Sequence, residues 1–502
     1  MGTRTAPTST NTAATPPDDG RLADEAVELA RRLIVGAEDE ITRRERRQRD
    51  RLGDLIADQD GRELLFELTD QVLRIDDRRR AAERFADIVD RHGTDALGPL
   101  DRLLLRTGAR LARRVPRLVM PLVERRIVAE TKGVVLPADD PAFAQHVARR
   151  AVEGVRLNVN PLGEAILSDA EADARLRTIL DRVRRPDVDY VSLKISAVVA
   201  NLDPFAFDDS VARICERLRT VLGTAQAADP VTFVNLDMEE YRDLELSLAA
   251  FERVLDEPEF EPIDAGIVLQ AYLPDSHAAL EQLGEWATAR RSRGGGRIKV
   301  RIVKGANLAM EQVESELHGW TQAPYATKAD VDASFKAMLD SALRPAWADA
   351  IRVGVASHNV FDVSWALVVA KELDATGRIE IEMLEGMAPA QARAVRDAAG
   401  DLLLYAPVVS REDVDASIAY LSRRLDENTQ PDNFLRVLFD LELDSPAWHE
   451  QEARFRAAVD ERRRVVPERR RRPVAGSDGT TFRNEPDSDP TDPDVRTAVD
   501  TA

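Results

Sequence analysis

RIKVRIVKGA, residues 297–306, is a short β-branched run ending on a lysine and a glycine, with helical text on both sides: HAALEQLGEWATARR before it and ADVDASFKAMLDSAL after it. Val and Ile suit a pleated, half-buried surface, whereas apolar residues at i, i+3 and i+4 mark helices. The same alternation continues in both directions. VRLNVNPLGEA (155–165), YVSLKIS (190–196), TFVNLDME (232–239), AGIVLQAY (265–272), RVGVAS (352–357), IEIEML (379–384) and LLLYAPV (402–408) are the other strand-like runs. Helical stretches such as DARLRTILDRVRR, LELSLAAFERVLDE, FDVSWALVVAKELDA and PAQARAVRDAA lie between them. Parallel strands need such crossovers, so eight runs each followed by a helix fit an α/β fold of the (β/α)8 TIM-barrel type. A doubly wound open sheet is the alternative. The first run is the weakest strand, because Asn158, Asn160 and Pro161 interrupt it.

Outward from this core the text changes twice. Residues 21–128 are helical throughout, as in ADEAVELARRLIVGAE and DRLLLRTGARLARRVPRLVMPLVERRIV, and predict an all-helical accessory region ahead of a barrel spanning 129–460. Residues 1–20 are Thr/Ala/Pro-rich without periodicity and predict disorder, as does a linker-like tail at 461–502. The basic run ERRRVVPERRRRP in that tail reads as a solvated linker, with contact to an anionic membrane surface as the alternative.

Composition narrows the classes. A formal charge of -20 over 502 residues disfavours nucleic acid as a partner, and 44% hydrophobic content supports a large core. The start is polar and no apolar run approaches a membrane span, so a cytoplasmic location is expected, with a peripheral position at the inner face of the membrane left open. The single cysteine, Cys215, excludes an internal disulfide. There is no GxGxxG, P-loop, HExxH or GxSxG, and no metal-ligand spacing. Only seven of the 70 basic residues are lysines, so a lysine at a strand end marks a place where a compact ammonium is wanted.

In such a barrel, chemistry sits at the C-terminal ends of the strands. Those ends supply Lys194, Asp237, Gln270, Arg301, Lys304, His358, Glu385 and Tyr405. Taken singly, Lys194 or Asp237 fits an interior ion pair and His358-Asn359 fits a helix cap. Together they form one rim of cations, an acid, an amide and an imidazole, which suits a large polar cofactor with a phosphate tail. Further on, Tyr420, Arg423, Arg424 and Glu427 in YLSRRLDE share one helical face. Paired guanidinium forks match a carboxylate, although a solvated salt-bridge ladder is the alternative.

At this point the residues carry a resemblance. VSLKIS, FVNLDMEEYRDLELSL, VLQAYLPDS, VRIVKGANL, ASHN, EMLEGM, LLYAPV and AYLSRRLDEN follow one another in the order and spacing of proline dehydrogenases, and the match covers about residues 125–435. The chain most resembles the N-terminal half of the bifunctional proline-utilisation enzymes. The resemblance implies a modified (β/α)8 barrel with noncovalent FAD, oxidation of L-proline to pyrroline-5-carboxylate, and electrons passed to a membrane quinone. It places Gln270, Arg301, Lys304, Gly305, Ala306, Lys328, His358 and Asn359 around FAD, with Arg301 also counted as catalytic. It places Lys194, Asp237, Leu384, Tyr405, Tyr420, Arg423, Arg424 and Glu427 around proline, with Lys194, Asp237 and Tyr405 in the catalytic set. Tyr405 favours proline over hydroxyproline, because relatives acting on the hydroxylated ring tend to carry a smaller residue there.

Two departures stand out. Asn307 follows KGA where many relatives have tyrosine, and the chain lacks the aldehyde dehydrogenase module of the bifunctional enzymes, so a separate pyrroline-5-carboxylate dehydrogenase is expected to take the product. A noncatalytic interaction protein and a folate-reductase-like flavin barrel are the competing classes.

Overall fold

The computed structural model describes residues 18–47, 49, 61, 63–64, 67–72, 75, 77–94, 99–130, 135–138, 140–163, 166–409, 420, 434–438, 441–473 and 484–501. Eight parallel strands close on themselves: β1 (Arg156–Pro161), β2 (Tyr190–Lys194), β3 (Phe233–Asp237), β4 (Ala265–Gln270), β5 (Ile298–Val303), β6 (Ile351–Ala356), β7 (Ile379–Leu384) and β8 (Leu403–Val409). β8 bonds to β7 through Leu384↔Tyr405 and to β1 through Asn158↔Tyr405, which rules out the open sheet. A two-residue strand, Leu136–Pro137, extends the sheet beside the end of β8.

Alternate residues explain why these runs fold this way. In β5, Ile298, Val300 and Ile302 are buried in the apolar core. Between them, Lys299 pairs with Glu382 of β7 at 2.5 Å, and Arg301 pairs with Asp237 of β3 at 2.7 Å. These partners lie on strands that are not neighbours of β5, so the charged side chains cross the barrel interior. Gly354 of β6 leaves room for them, since a Cβ there would run into Glu382 and Lys299. Barrel interiors usually hold bulky branched residues, whereas this one is substantially ionic. The interrupted first run now makes sense: Asn158 and Asn160 are buried, and β1 pairs with β8 from Arg156↔Leu403 to Pro161↔Val408. Pro161 is tolerated because it closes the strand.

The helical region ahead of the barrel has two parts. The helix Asp19–Glu40, capped by Asp18 accepting the N–H of Gly20 at 3.1 Å, buries Leu22, Ala26, Ala30 and Leu33 in the barrel's own core, against the helices Val360–Glu372 and Pro389–Ala399. The helices Arg78–His92, Pro99–Ala112 and Pro116–Glu130 contribute to a separate apolar cluster that includes Phe85, Ile88 and Met120. Low complexity pointed to a solvated tail after Asp460, yet the described residues 461–473 and 484–501 pack on the barrel. Arg462 pairs with Asp19 and Asp340, each at 2.7 Å, Arg471 is 2% exposed, and Pro493–Thr501 is helical. Arg462, Arg469 and Arg471 meet carboxylates, while Arg463 and Arg464 pair with acids but stay exposed. The expected disorder at 1–17 and at 474–483 falls outside the described residues. No helix among the described residues is long and apolar enough to cross a membrane.

Candidate functional site

The interior charges rise toward the C-terminal mouth as one connected cluster. Arg301 reaches Asp237 Oδ1 at 2.7 Å, Glu382 Oε2 at 2.6 Å and Ser192 Oγ at 3.3 Å. Burial opposes its charge, but Glu382 and Asp237 outweigh that and hold the guanidinium firmly protonated. Asp237 also accepts from Asn235 Nδ2 at 2.9 Å and from the Tyr405 hydroxyl at 2.9 Å. The Tyr405 oxygen in turn accepts from Asn160, and the Arg301 guanidinium lies 5.6 Å from its ring centre. Burial and the Asp237 carboxylate raise the Tyr405 phenol well above its ordinary range, so Tyr405 keeps its proton at neutral pH. Asp237, Arg301 and Tyr405 are therefore in direct contact.

Lys194, beside Asp237 in the sheet register, pairs with a residue that strand ends alone do not reveal. Its ammonium pairs with Glu239 Oε1 at 2.7 Å. The carbonyl of Glu239 accepts from Gln270 Nε2 at 3.2 Å and from Asn307 Nδ2 at 2.9 Å. Glu239, two residues past the end of β3, thus connects Lys194, the end of β4 and the loop after β5. The departure at Asn307 has a defined consequence, a side-chain bridge between two loops. Gly305 has φ of 125°, and a Cβ there would sit 2.5 Å from the Tyr272 ring, so glycine is required. Gly305 and Ala306 are exposed and present backbone at the mouth.

A second charge cluster borders the ends of β5 and β6. Lys304 contacts Asp332 and Asp362, each at 2.6 Å, Lys328 contacts Asp332 at 2.5 Å, and Lys336 contacts Asp362 at 2.8 Å. Burial opposes the Lys304 charge, but the two aspartates prevail and raise its pKa. Lys328 is lowered instead, by burial and then by Lys304. Three lysines against two aspartates leave a positive excess beside the exposed loop. His358 Nε2 accepts the backbone N–H of Leu384 at 2.9 Å, which puts the ring proton on Nδ1 and fixes the end of β7. Asn359 is a helix cap, its Oδ1 accepting from Phe361 N at 2.9 Å, and it starts the helix Val360–Glu372 at this mouth.

Leu384 pairs with Tyr405 across β7 and β8, and Tyr420 is buried against Leu162 beyond β1. Tyr420 also contributes to the raised pKa of Tyr405. Arg423, Arg424 and Glu427 fall outside the described residues. Strand-end reading missed Glu239, Asn160, Lys299, Glu382, Asp332 and Asp362. The signal for Lys299 and Glu382 was present, as charges alternating with Val, Ile and Met inside two strands. Glu385 lies to one side, buried against Arg150 with Nε–Oε2 3.1 Å. A cavity of about 200 Å³ lined by Tyr241, Glu245, Asp275, Arg469 and Arg496 lies away from these groups, beneath the C-terminal segment. No group of metal-holding side chains occurs among the described residues.

This geometry coincides with strong similarity to known proteins. The family model described as proline dehydrogenase matches residues 143–437. The bifunctional protein PutA of Klebsiella aerogenes is 27% identical over 373 residues, covering 70% of this chain and 27% of that protein. Among solved structures, proline utilization A from Corynebacterium freiburgense shares 43% identity with a TM-score of 0.67, over 80% of this chain and 38% of that one. Proline utilization A from Bdellovibrio bacteriovorus, inactivated by N-propargylglycine, has 24% identity and a TM-score of 0.75, over 95% of this chain and 47% of that one, and supports the fold. The chain spans about a quarter of the length of the curated relatives it matches most fully, 27%.

Proposed function

The chain belongs to the proline dehydrogenase family, and on that premise we propose that it oxidises L-proline to pyrroline-5-carboxylate with a noncovalent FAD and passes the electrons to a membrane quinone. The observation that carries the reading is the contact set Asp237–Arg301–Tyr405 at the mouth of an ionic barrel, beside a lysine cluster with a positive excess.

The donor set fits a flavin dinucleotide. Gln270, Arg301 and the exposed backbone of Gly305 and Ala306 offer hydrogen bonds to a polar ring system. Lys304, Lys328 and the helix N-terminus capped by Asn359 suit a pyrophosphate, and His358 braces the adjoining strand end. When bound, FAD supplies the hydride acceptor.

The chain's own residues hold proline and shape its surroundings. Tyr405 and Leu384 wall the ring, with Tyr420 behind them. Arg423 and Arg424 clamp the carboxylate and Glu427 orients the pair; these three roles rest on the family resemblance. Tyr405 stays protonated and bonded to Asp237, so it acts as a wall and donor rather than as a base. Asp237 fixes both Tyr405 and Arg301, and Glu239 fixes Lys194. The amine is unprotonated when hydride leaves the adjacent carbon, and its lone pair closes the C=N bond of the product. Rigid placement of that carbon is the protein's main contribution.

The product imine would pass to a pyrroline-5-carboxylate dehydrogenase activity, and the quinone partner implies work at the inner face of the membrane. Proline-dependent reduction of a quinone analogue, with the cyclic imine trapped as product, tests the reading. Turnover with NAD(P)H and none with proline would point instead to another flavin barrel.

A further inference from the structure

The helix Leu308–His318, which begins directly after Asn307, is turned inside out. Its polar residues Glu311 and Ser315 are 3% and 0% exposed, while Met310, Val313 and Leu317 are 63%, 51% and 74% exposed. Apolar burial alone would rotate this helix the other way. What meets the buried polar face is Arg471, from the segment that follows the barrel. Its guanidinium donates to Glu311 Oε2 at 3.1 Å and to Ser315 Oγ at 3.3 Å. It lies 4.7 Å from the Tyr241 ring centre and 5.0 Å from that of Trp320. A buried guanidinium enclosed by two aromatic faces and a carboxylate is a specific contact rather than a solvated charge.

Glu311 passes the constraint to the site. Its other oxygen accepts the backbone N–H of Tyr241 at 2.7 Å, two residues after Glu239. At the start of the same helix, Asn307 bonds the Glu239 carbonyl at 2.9 Å. The loops after β3 and β5 are therefore tied twice, once beside the site by Asn307 and once by Glu311, whose other carboxylate oxygen Arg471 holds. Burial pushes the Glu311 carboxyl up, while the Tyr241 N–H and then Arg471 pull it back toward ionisation. The segment that brings Arg471 here is itself fastened, with Trp320 Nε1 donating to Asp487 O at 2.6 Å, Thr321 N to Arg472 O at 2.9 Å and the Tyr325 hydroxyl to Val466 O at 2.9 Å.

We propose that Arg471 is a positioning residue for the flavin site, and that the segment after the barrel is a strap setting the loops that carry Glu239, Lys304 and Asn307. This rests on the reading that FAD binds at the strand ends. The test is FAD titration of flavin-free protein, followed by fluorescence, for wild type, Arg471→Met, Glu311→Gln, the double variant and Arg496→Met. Arg496 anchors the far end of the same strap to Glu245 at 2.5 Å and hydrogen-bonds neither Glu239, Tyr241 nor Glu311, so it controls for general loosening. Arg471→Met is expected to raise the FAD dissociation constant about tenfold, Glu311→Gln by a similar factor, and the double variant no further than the worse single one. Arg496→Met should bind FAD as wild type does.

Binding by Arg471→Met within about twofold of wild type, or equal weakening by Arg496→Met, would overturn the proposal. Should Arg471→Met not fold, Glu311→Gln keeps its side-chain shape and carries the same comparison. Wild-type protein that takes up no FAD would refute the site reading instead, which separates the two failures.

Discussion

Replacing Arg301 with methionine is expected to destabilise the barrel by about 3–5 kcal/mol, the usual cost of stripping one partner from a buried charge cluster. Methionine keeps much of the stem and removes the fork that bridges Asp237 at 2.7 Å and Glu382 at 2.6 Å. The wild-type interior sets Asp237, Glu380 and Glu382 against Lys299 and Arg301; the variant leaves three carboxylates sharing Lys299, with Arg156 reaching only Glu380 from the rim. At an effective dielectric near 20 a contact pair attracts by about 4 kcal/mol or more, and desolvation already paid in the fold is no longer offset. Adding Glu382→Gln to Arg301→Met removes the surplus carboxylate, so the double variant should be more stable than Arg301→Met by about 1–3 kcal/mol.

The pH dependence has a definite sign. Burial raises the Glu382 carboxyl, but Arg301 and then Lys299 bring it below its ordinary range. Its stabilisation is therefore present above the unfolded pKa and lost as pH falls through the folded one. The gap between wild type and Arg301→Met should narrow in acid. Urea unfolding of flavin-free protein, followed by tryptophan fluorescence, measures these differences. A loss below about 1 kcal/mol, or a double variant less stable than Arg301→Met, would refute the cluster as the organising feature of the interior.

Other expectations follow from single contacts. The Asp243 carboxyl, from an ordinary 3.8, is pushed up to about 7 by burial and then by Glu240. Asp243→Asn should therefore stabilise the protein by up to about 4 kcal/mol above that pH, with the gain fading as pH falls toward the unfolded pKa; a pH-independent effect in thermal unfolding would contradict this. Tyr405→Ser removes the bond to Asp237 and, on the proposed function, the wall of the substrate ring, and should raise kcat/KM for hydroxyproline relative to proline about tenfold or more in steady-state assays. Arg424→Met should raise KM for proline far more than it lowers thermal stability, and an unchanged KM would remove the carboxylate clamp.

Much of the fold was legible because strand and helix periods differ so clearly along the chain. RIKVRIVKGA and its seven counterparts each became a barrel strand, including the interrupted first run, whose asparagines are buried where an apolar interior would have excluded them. At the site, Asp237 ends its strand while Arg301 and Tyr405 lie within theirs, and the three converge because their side chains meet inside the barrel. Glu239 and Asp332 were not legible, since each acts from a loop or helix whose distance from the strands depends on tertiary packing. Glu382 and Lys299 were less legible for another reason: a charge inside a strand gives no sign in the sequence of the partner it meets across the barrel. Asn359 turned out to cap a helix at the mouth, the structural one of its two readings. The tail differed most, because its arginines find Asp19, Asp340 and Glu311, acids far away in sequence.

The most direct measurement is anaerobic addition of L-proline to the purified protein carrying FAD. The account requires the visible flavin absorbance to bleach without NAD, with one pyrroline-5-carboxylate formed per flavin reduced. A flavin that stays oxidised in saturating proline, or a protein that cannot be loaded with FAD, would contradict it.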